Sequence, residues 1–390
     1  MPCRIVQFPR TLDDAMKTDL KLTVLAAALA AGAIATMPVS VAQPQDAGTA
    51  GATEQRPVAA FSAIELAGPY HVVIDAQAKP SLALSGARKQ LAEVETVVRG
   101  DTLVVRPVQR NGLFFSFGKH QETVTVRIAA TALQRLTVAG SGDVEIARIG
   151  GERFALAANG PGDVHASGAV RQLSVTSSGS GDLDLHDLKA ADVDVALNGP
   201  GDVRLSDVAG TLAVQQGGSG DLEADGLRAT RVTARMHGPG NVTLSGSAGD
   251  LDVETSGSGD FDGDGLKTAR ATVRGHGPGG VTLAGVTDTL DAELQGSGDL
   301  TASMAGKRLL LRLNGPGDAR IIGTVAQVDA QIAGSGSLEG RGLTAARADI
   351  AVHGPGTAAV NLTGQERAGA RATNRGQLLL VDRSGPHPAR

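Results

Sequence analysis

Aromatic side chains are nearly missing from this chain: its 390 residues include no tryptophan, one tyrosine and seven phenylalanines. A protein that grips sugars, nucleotides or single-stranded nucleic acid by stacking needs such platforms, and 2% aromatic content leaves few of them. Cysteine occurs once, at Cys3, so no intrachain disulfide can form, and no cysteine-rich metal site exists. The chain has no run of lysine and arginine and a formal net charge of −5, which argues against nucleic acid as a partner. Catalytic signatures are missing too. There is no Gly-x-Ser-x-Gly elbow, no P-loop and no long insertion of the kind in which solenoid enzymes build their clefts.

What the chain has is glycine, 53 residues of it, in strict order. A four-residue turn opens as Gly140-Ser141-Gly142-Asp143 and Gly160-Pro161-Gly162-Asp163, and recurs to Gly354-Pro355-Gly356-Thr357, twelve times in all. Each step is 19 or 20 residues, the signature of a solenoid in which every repeat stacks on the one before. The turn residues suit a type II β-turn, with proline presetting φ at the second position and glycine supplying positive φ at the third. Serine and proline alternate at the second position, which makes the underlying unit a pair of rungs.

Between turns, apolar and polar residues alternate with the strand period, as in Asp163-Val164-His165-Ala166-Ser167 and Gln172-Leu173-Ser174-Val175-Thr176. The inward positions are small aliphatics such as Val203, Leu205, Leu212 and Val214, and residues 140–360 hold just two aromatics, Phe154 and Phe261. Small side chains fill a narrow tube at native density, which favours one coil per 19–20 residues. The residues preceding Gly-Pro-Gly (Asn159, Asn198, His237, His276, Asn314, His353) point the other way, since they would form an unbroken ladder only in 39-residue coils. Twelve rungs at about 4.8 Å each span roughly 55–60 Å.

The fold expected is therefore an all-β, right-handed parallel β-helix with an N-terminal β cap. Residues 1–42 have the form of a secretory signal, with Met16 as the better initiator, an apolar run from Leu22 to Met37 and Ser40-Val41-Ala42 as a cleavage site. That run is too short for a confident membrane span, so the mature form is expected to have none. Residues 43–57 read as a flexible spacer, 58–130 as the cap that covers the open end of the solenoid, 131–364 as the repeats and 365–390 as a last strand and frayed tail.

The opening Phe61-x-x-Ile64, a strand ending near Gly68 and the serial Gly-Ser-Gly-Asp turns resemble the GIN domain, a domain of secreted bacterial proteins described as an autotransporter adhesin head. The resemblance covers roughly 58–380. It implies a right-handed parallel β-helix and export to the periplasm or cell surface, and it brings no catalytic residues with it. This chain departs from the pattern in carrying more repeats than one such domain holds, in using proline in every second turn, and in lacking a C-terminal stretch long enough for a translocating barrel.

Three sets of residues are candidates for chemistry. The aspartates closing the turns (Asp143, Asp163, Asp182, Asp202, Asp221, Asp260, Asp299 and Asp318) would stack about 5 Å apart and repel by roughly 1 kcal/mol per pair in water. The structural expectation is that each accepts N–H bonds from its own turn, and the functional alternative is a cation ladder, with calcium the natural ion. Asn241, Gly280, Ser337 and Thr357 interrupt that ladder, which a structural role tolerates better. The histidines His237, His276 and His353 share a position with asparagine, so corner hydrogen bonding is favoured over zinc. Phe114, Phe115 and Phe117 either plug the open end or form a partner-contact patch.

The function expected is a non-catalytic structural or adhesin-like module of the cell surface or envelope, with an envelope component, polysaccharide or protein, as partner. A cation-dependent polysaccharide- or envelope-binding protein is the alternative, and a carbohydrate-active enzyme carries the least weight.

Overall fold

A computed structural model describes residues 51–108, 123–363, 369–373, 377–382 and 385–388. The signal-like residues 1–42 and the phenylalanines at 114, 115 and 117 lie outside the described residues. Within them, strands pair in parallel with their counterparts 19 or 20 residues along. Val144 faces Val164, Val164 faces Leu183, and Leu183 faces Val203. One coil is therefore 19–20 residues, and the pre-turn positions alternate along the stack rather than forming the unbroken Asn/His ladder. The alternation of the sequence sends Val203, Leu205, Leu212 and Val214 inward, each no more than 2% exposed, and the interior forms one continuous apolar cluster. Volume is balanced locally. The Phe261 ring lies where Gly263 has no side chain, and a Cβ there would meet Phe261 Cε1 at 3.1 Å and Leu283 Cδ2 at 3.2 Å.

The Gly-x-Gly corner differs from the type II turn expected of it. Of the corner glycines, only Gly354 has φ in the left-handed region. Positive φ sits instead at the opposite corner, at Gly168, Gly226, Gly246, Gly285 and Gly323, and at the non-glycine residues Arg148 and Asp207. Glycine is needed at the repeated corner for another reason. A Cβ on either glycine of nearly every corner would fall well inside 3.0 Å of a backbone carbonyl oxygen in the preceding coil, as for Gly160 against Gly140 or Gly259 against Gly240. The close approach is held by hydrogen bonds from the second glycine to the first glycine of the coil before, such as Gly220 N–H to Gly199 O at 3.1 Å and Gly259 N–H to Gly238 O at 3.2 Å. Serine and proline at the exposed apex thus sit above the same backbone ladder, since Gly201 makes the bond across a proline and Gly220 across a serine.

The stack begins earlier than the twelve turns indicate. Ala63–Leu66 pairs in parallel with Arg135–Val138, and His71–Asp75 pairs with the strand that starts at Val144. Between them Gly68-Pro69-Tyr70 makes a further corner, on which Gly140 and Gly142 stack. On its other side lie Thr102–Pro107 and Thr125–Ala129, the two strands of an end coil, again parallel. Antiparallel strands then close the end. Val94–Arg99 pairs with 102–107, Ser81–Gly86 with 125–129, and Ala52–Arg56 with 81–86. The last five of the residues read as spacer up to 56 are thus a strand, anchored by Arg56, whose guanidinium donates to Val94 O at 2.6 Å and Leu91 O at 2.8 Å. At the other end, Gly369–Thr373 and Gln377–Asp382 continue the parallel stack and Gly385–Pro388 folds back antiparallel where a frayed tail was expected. No helix among the described residues is long and apolar enough to cross a membrane.

Candidate functional site

The turn aspartates form a column along the ridge made by the Gly-x-Gly corners, and most are exposed. Their carboxylates do not close their own turns. Each Oδ1 accepts the backbone N–H of the equivalent residue one coil on: Asp182 N–H to Asp163 at 2.8 Å, Asp202 to Asp182 at 2.9 Å, Asp221 to Asp202 at 2.8 Å, and Asp318 to Asp299 at 2.8 Å. This bond offsets the repulsion between stacked carboxylates, because every neighbour's N–H dipole points at the charge. Asn241 fits the same scheme, accepting from Asp260 at 2.9 Å through its amide oxygen, and Gly280 and Ser337 need only donate. Asn241 thus carries the stitch on, whereas Gly280 has no side chain to accept the N–H of Asp299, and the column starts again at Asp299. No group of three or more His, Cys, Asp or Glu placed to hold a metal occurs among the described residues. Asp221→Asn is expected to change stability by no more than about 0.5 kcal/mol, and Asp221→Ala to cost about 1–2 kcal/mol, since the Asn241 N–H loses its acceptor. Denaturant titration measures both, and a melting temperature that rises with millimolar calcium only in the parent would reassign the column to a cation.

Beside this ridge, His237 Nδ1 lies 2.7 Å from Ser256 Oγ of the next coil, a corner hydrogen bond of the expected kind. Directly inside it runs a feature that the sequence analysis missed. Ser177, Gln216 and Thr255 are fully buried at the last inward position before three successive Gly-Ser-Gly corners. Gln216 Nε2 donates to Gly218 O at 2.7 Å and Gly220 O at 3.3 Å, bracing its corner from within. The signal was present as a polar residue at an inward position spaced like the serine corners.

The face built by the last strand of each coil carries charge in rows. The coil ending at Met236 shows Arg231 and Arg235, the next Asp250, Asp252 and Glu254, and the next Arg270 and Arg274. Asp291 and Glu293 follow, then Arg308 and Arg312, then Asp329. Neighbouring rows pair: Arg231 with Asp250 at 3.3 Å, Arg235 with Glu254 at 3.7 Å, Arg274 with Asp252 at 3.4 Å, Arg312 with Asp291 at 3.5 Å and Arg308 with Asp329 at 3.5 Å. Asp250 also holds Arg270, so it bridges the coils on both sides of it. From the coil of Arg231 to the coil of Asp329, the two-rung unit is thus one basic coil and one acidic coil.

A groove of about 580 Å³ crosses this face near the C-terminal end, where Arg312, Asp329, Gln331, Asp349 and His353 converge beside Leu310. Polar and apolar surface line it in nearly equal parts. At the opposite end, Tyr70 replaces the second corner glycine and is 7% exposed, and burial pushes its hydroxyl pKa up to about 12, with Glu93 adding to the shift. Phe114, Phe115 and Phe117 stand in the sequence between strands 102–107 and 125–129, outside the described residues.

The sequence model described as "Putative auto-transporter adhesin, head GIN domain" matches residues 60–243, 207–303 and 285–381. Among solved structures, the chain is similar to a "putative lipid binding protein" from Parabacteroides distasonis at 17% identity, over 74% of this chain and 95% of that one, with a TM-score of 0.38. It is also similar to a "putative adhesin" from Bacteroides fragilis at 16% identity, over 71% and 96% of the two chains, with a TM-score of 0.31. A "putative adhesin" from Parabacteroides merdae shares 14% identity over 85% and 96%, with a TM-score of 0.27. No curated protein matches the chain.

Proposed function

Because the chain belongs to the family of auto-transporter adhesin heads with the GIN domain, we propose that it is a non-catalytic, exported binding module of the bacterial surface or envelope. The observation that carries this reading is the repetition of one exposed pattern, coil after coil, on faces that present rows of side chains. Such a surface suits an extended envelope polymer or protein, where weak identical contacts add up. The family relationship supports a place outside the cytoplasm, and the signal-like 1–42 agrees with it. Phe114, Phe115 and Phe117, read from the sequence as either an end plug or a partner-contact patch, are a second contact in this proposal.

Binding of the labelled chain to intact cells and to envelope fractions tests the proposal. Removal of one two-coil unit, 238–276, is expected to weaken binding about tenfold, because a polyvalent contact loses whole rows at once. Phe115→Asp separates the end contact from the side contact. Lost binding at unchanged stability assigns the segment to a partner, and lost stability at unchanged binding makes it a plug. A parent chain that binds neither cells nor envelope sinks the reading.

A further inference from the structure

We propose that the charged last-strand face is a contact between two copies of this chain, packed antiparallel. The inference goes beyond the binding role above and rests on the charge rows alone. From the coil of Arg231 to the coil of Asp329, basic and acidic rows alternate with a period of two coils. Alternation of this kind discriminates sharply between ways of pairing two copies. If two copies lie parallel about an axis along the stack, each row meets its own kind and the face repels itself. With a two-fold axis across the stack, midway between two coils, every basic row meets an acidic one. Placed between the coil of Arg270 and Arg274 and the coil of Asp291 and Glu293, that axis joins the most rows. The two central coils then face each other, the Asp250–Glu254 row faces Arg308 and Arg312, and the Arg231–Arg235 row faces Asp329.

The side chains are placed for it. Arg274 and Asp252 are 50% and 47% exposed, and Arg312 and Asp291 are 46% and 42%, so each pair made within the chain still offers open charge to a partner. The contact is isologous, as a two-fold requires, and each central pair occurs twice. Six coils at about 4.8 Å by a strand of about six residues at roughly 3.3 Å give about 600 Å² per copy. A total near 1,200 Å² lies at the low end of stable interfaces, so the dimer is weak, on the order of micromolar, and sensitive to salt. Antiparallel pairing also sets the two chains' ends in opposite directions, the arrangement by which copies on facing surfaces meet.

Sedimentation of the purified full chain tests this without cells or envelope. A concentration-dependent dimer is expected at about 20 mM salt and its loss at about 500 mM. Two variants then set the geometry: R270E with R274E makes both central rows acidic, and D291K with E293K makes both basic. Each alone is expected to be monomeric, and an equimolar mixture to form a heterodimer, because an acidic centre meets a basic one. Circular dichroism melting of each variant shows whether it folds, and restored dimer in the mixture is itself proof that both do. A parent that stays monomeric at low salt and high concentration overturns the proposal. So does a folded pair of variants that fails to associate on mixing, or one that dimerises alone. Failure of cell binding in the earlier experiment leaves this outcome unaffected.

Discussion

Gly259→Ala is expected to cost about 4 kcal/mol or more, a large loss for one methyl group. Its Cβ would fall well inside 3.0 Å of Gly240 O and at 3.0 Å from Pro239 C, closer than van der Waals contact allows. Neither neighbour is the flexible end of a side chain. Both are backbone, pinned by the Gly259 N–H to Gly238 O bond and by the strands on either side. The coils must separate locally, and the ladder bonds of two corners open with them. Hydrogen exchange is expected to rise at 238–240 and 257–259 and to spread little further, since each coil touches only its neighbours. Gly259→Asn decides why glycine is there. If positive φ were the requirement, asparagine would cost under about 1 kcal/mol, because it tolerates that conformation. If close approach is the requirement, asparagine is at least as damaging as alanine. Ser258→Ala at the exposed apex is the control and is expected to be near neutral.

That experiment marks the boundary between what the sequence states and what it leaves open. Period and strand alternation follow from spacing and hydrophobic pattern, which are local properties. The reason for glycine is not local. It depends on which carbonyl lies above, and that is known only when coil 19 or 20 residues away is in place. The aspartate bonds failed to be legible for the same cause: Asp in a turn ordinarily bonds its own turn, and the next coil's N–H competes successfully only because the stack brings it to 2.8 Å from Asp163. Gly68-Pro69-Tyr70 escaped notice because tyrosine occupies a glycine position and 72 residues separate Gly68 from Gly140. Its apex proline, however, continues the Pro/Ser alternation backward in step. The strand at Ala52–Arg56 carries no apolar alternation, with one edge residue after another exposed, so only its pairing with Ser81–Gly86 reveals it.

The charge rows are the clearest case of information present in the sequence but readable only in register, and they lead to the second large effect. Deleting two coils, 238–276, joins the coil of Arg231 and Arg235 to the coil of Asp291 and Glu293. A basic row again meets an acidic one, a Gly-Ser-Gly corner again precedes a Gly-Pro-Gly corner, and His237 takes the place of His276 before Gly277. This shortened chain is expected to unfold cooperatively with little loss of stability. Deleting one coil, 238–256, keeps every glycine in phase and buries the same kind of core, yet it sets Arg231 against Arg270 and Arg235 against Arg274. Like charges directly opposite on neighbouring strands destabilise a sheet. At about 4.8 Å each such pair costs roughly 1 kcal/mol in water and more at the protein surface. The bridging Asp250 is lost as well, so the single-coil deletion is expected to be about 3 kcal/mol less stable than the two-coil deletion. Denaturant unfolding of both chains gives the difference directly. Two further results identify its origin: the gap should narrow in about 0.5 M salt, where exposed charges are screened, and R231E with R235E in the single-coil deletion should close it. Equal stability of the two deletions would mean that the rows contribute nothing to register, and a gap untouched by salt would place the fault in the core, where Met236 would then pack against Gly275 instead of Thr255.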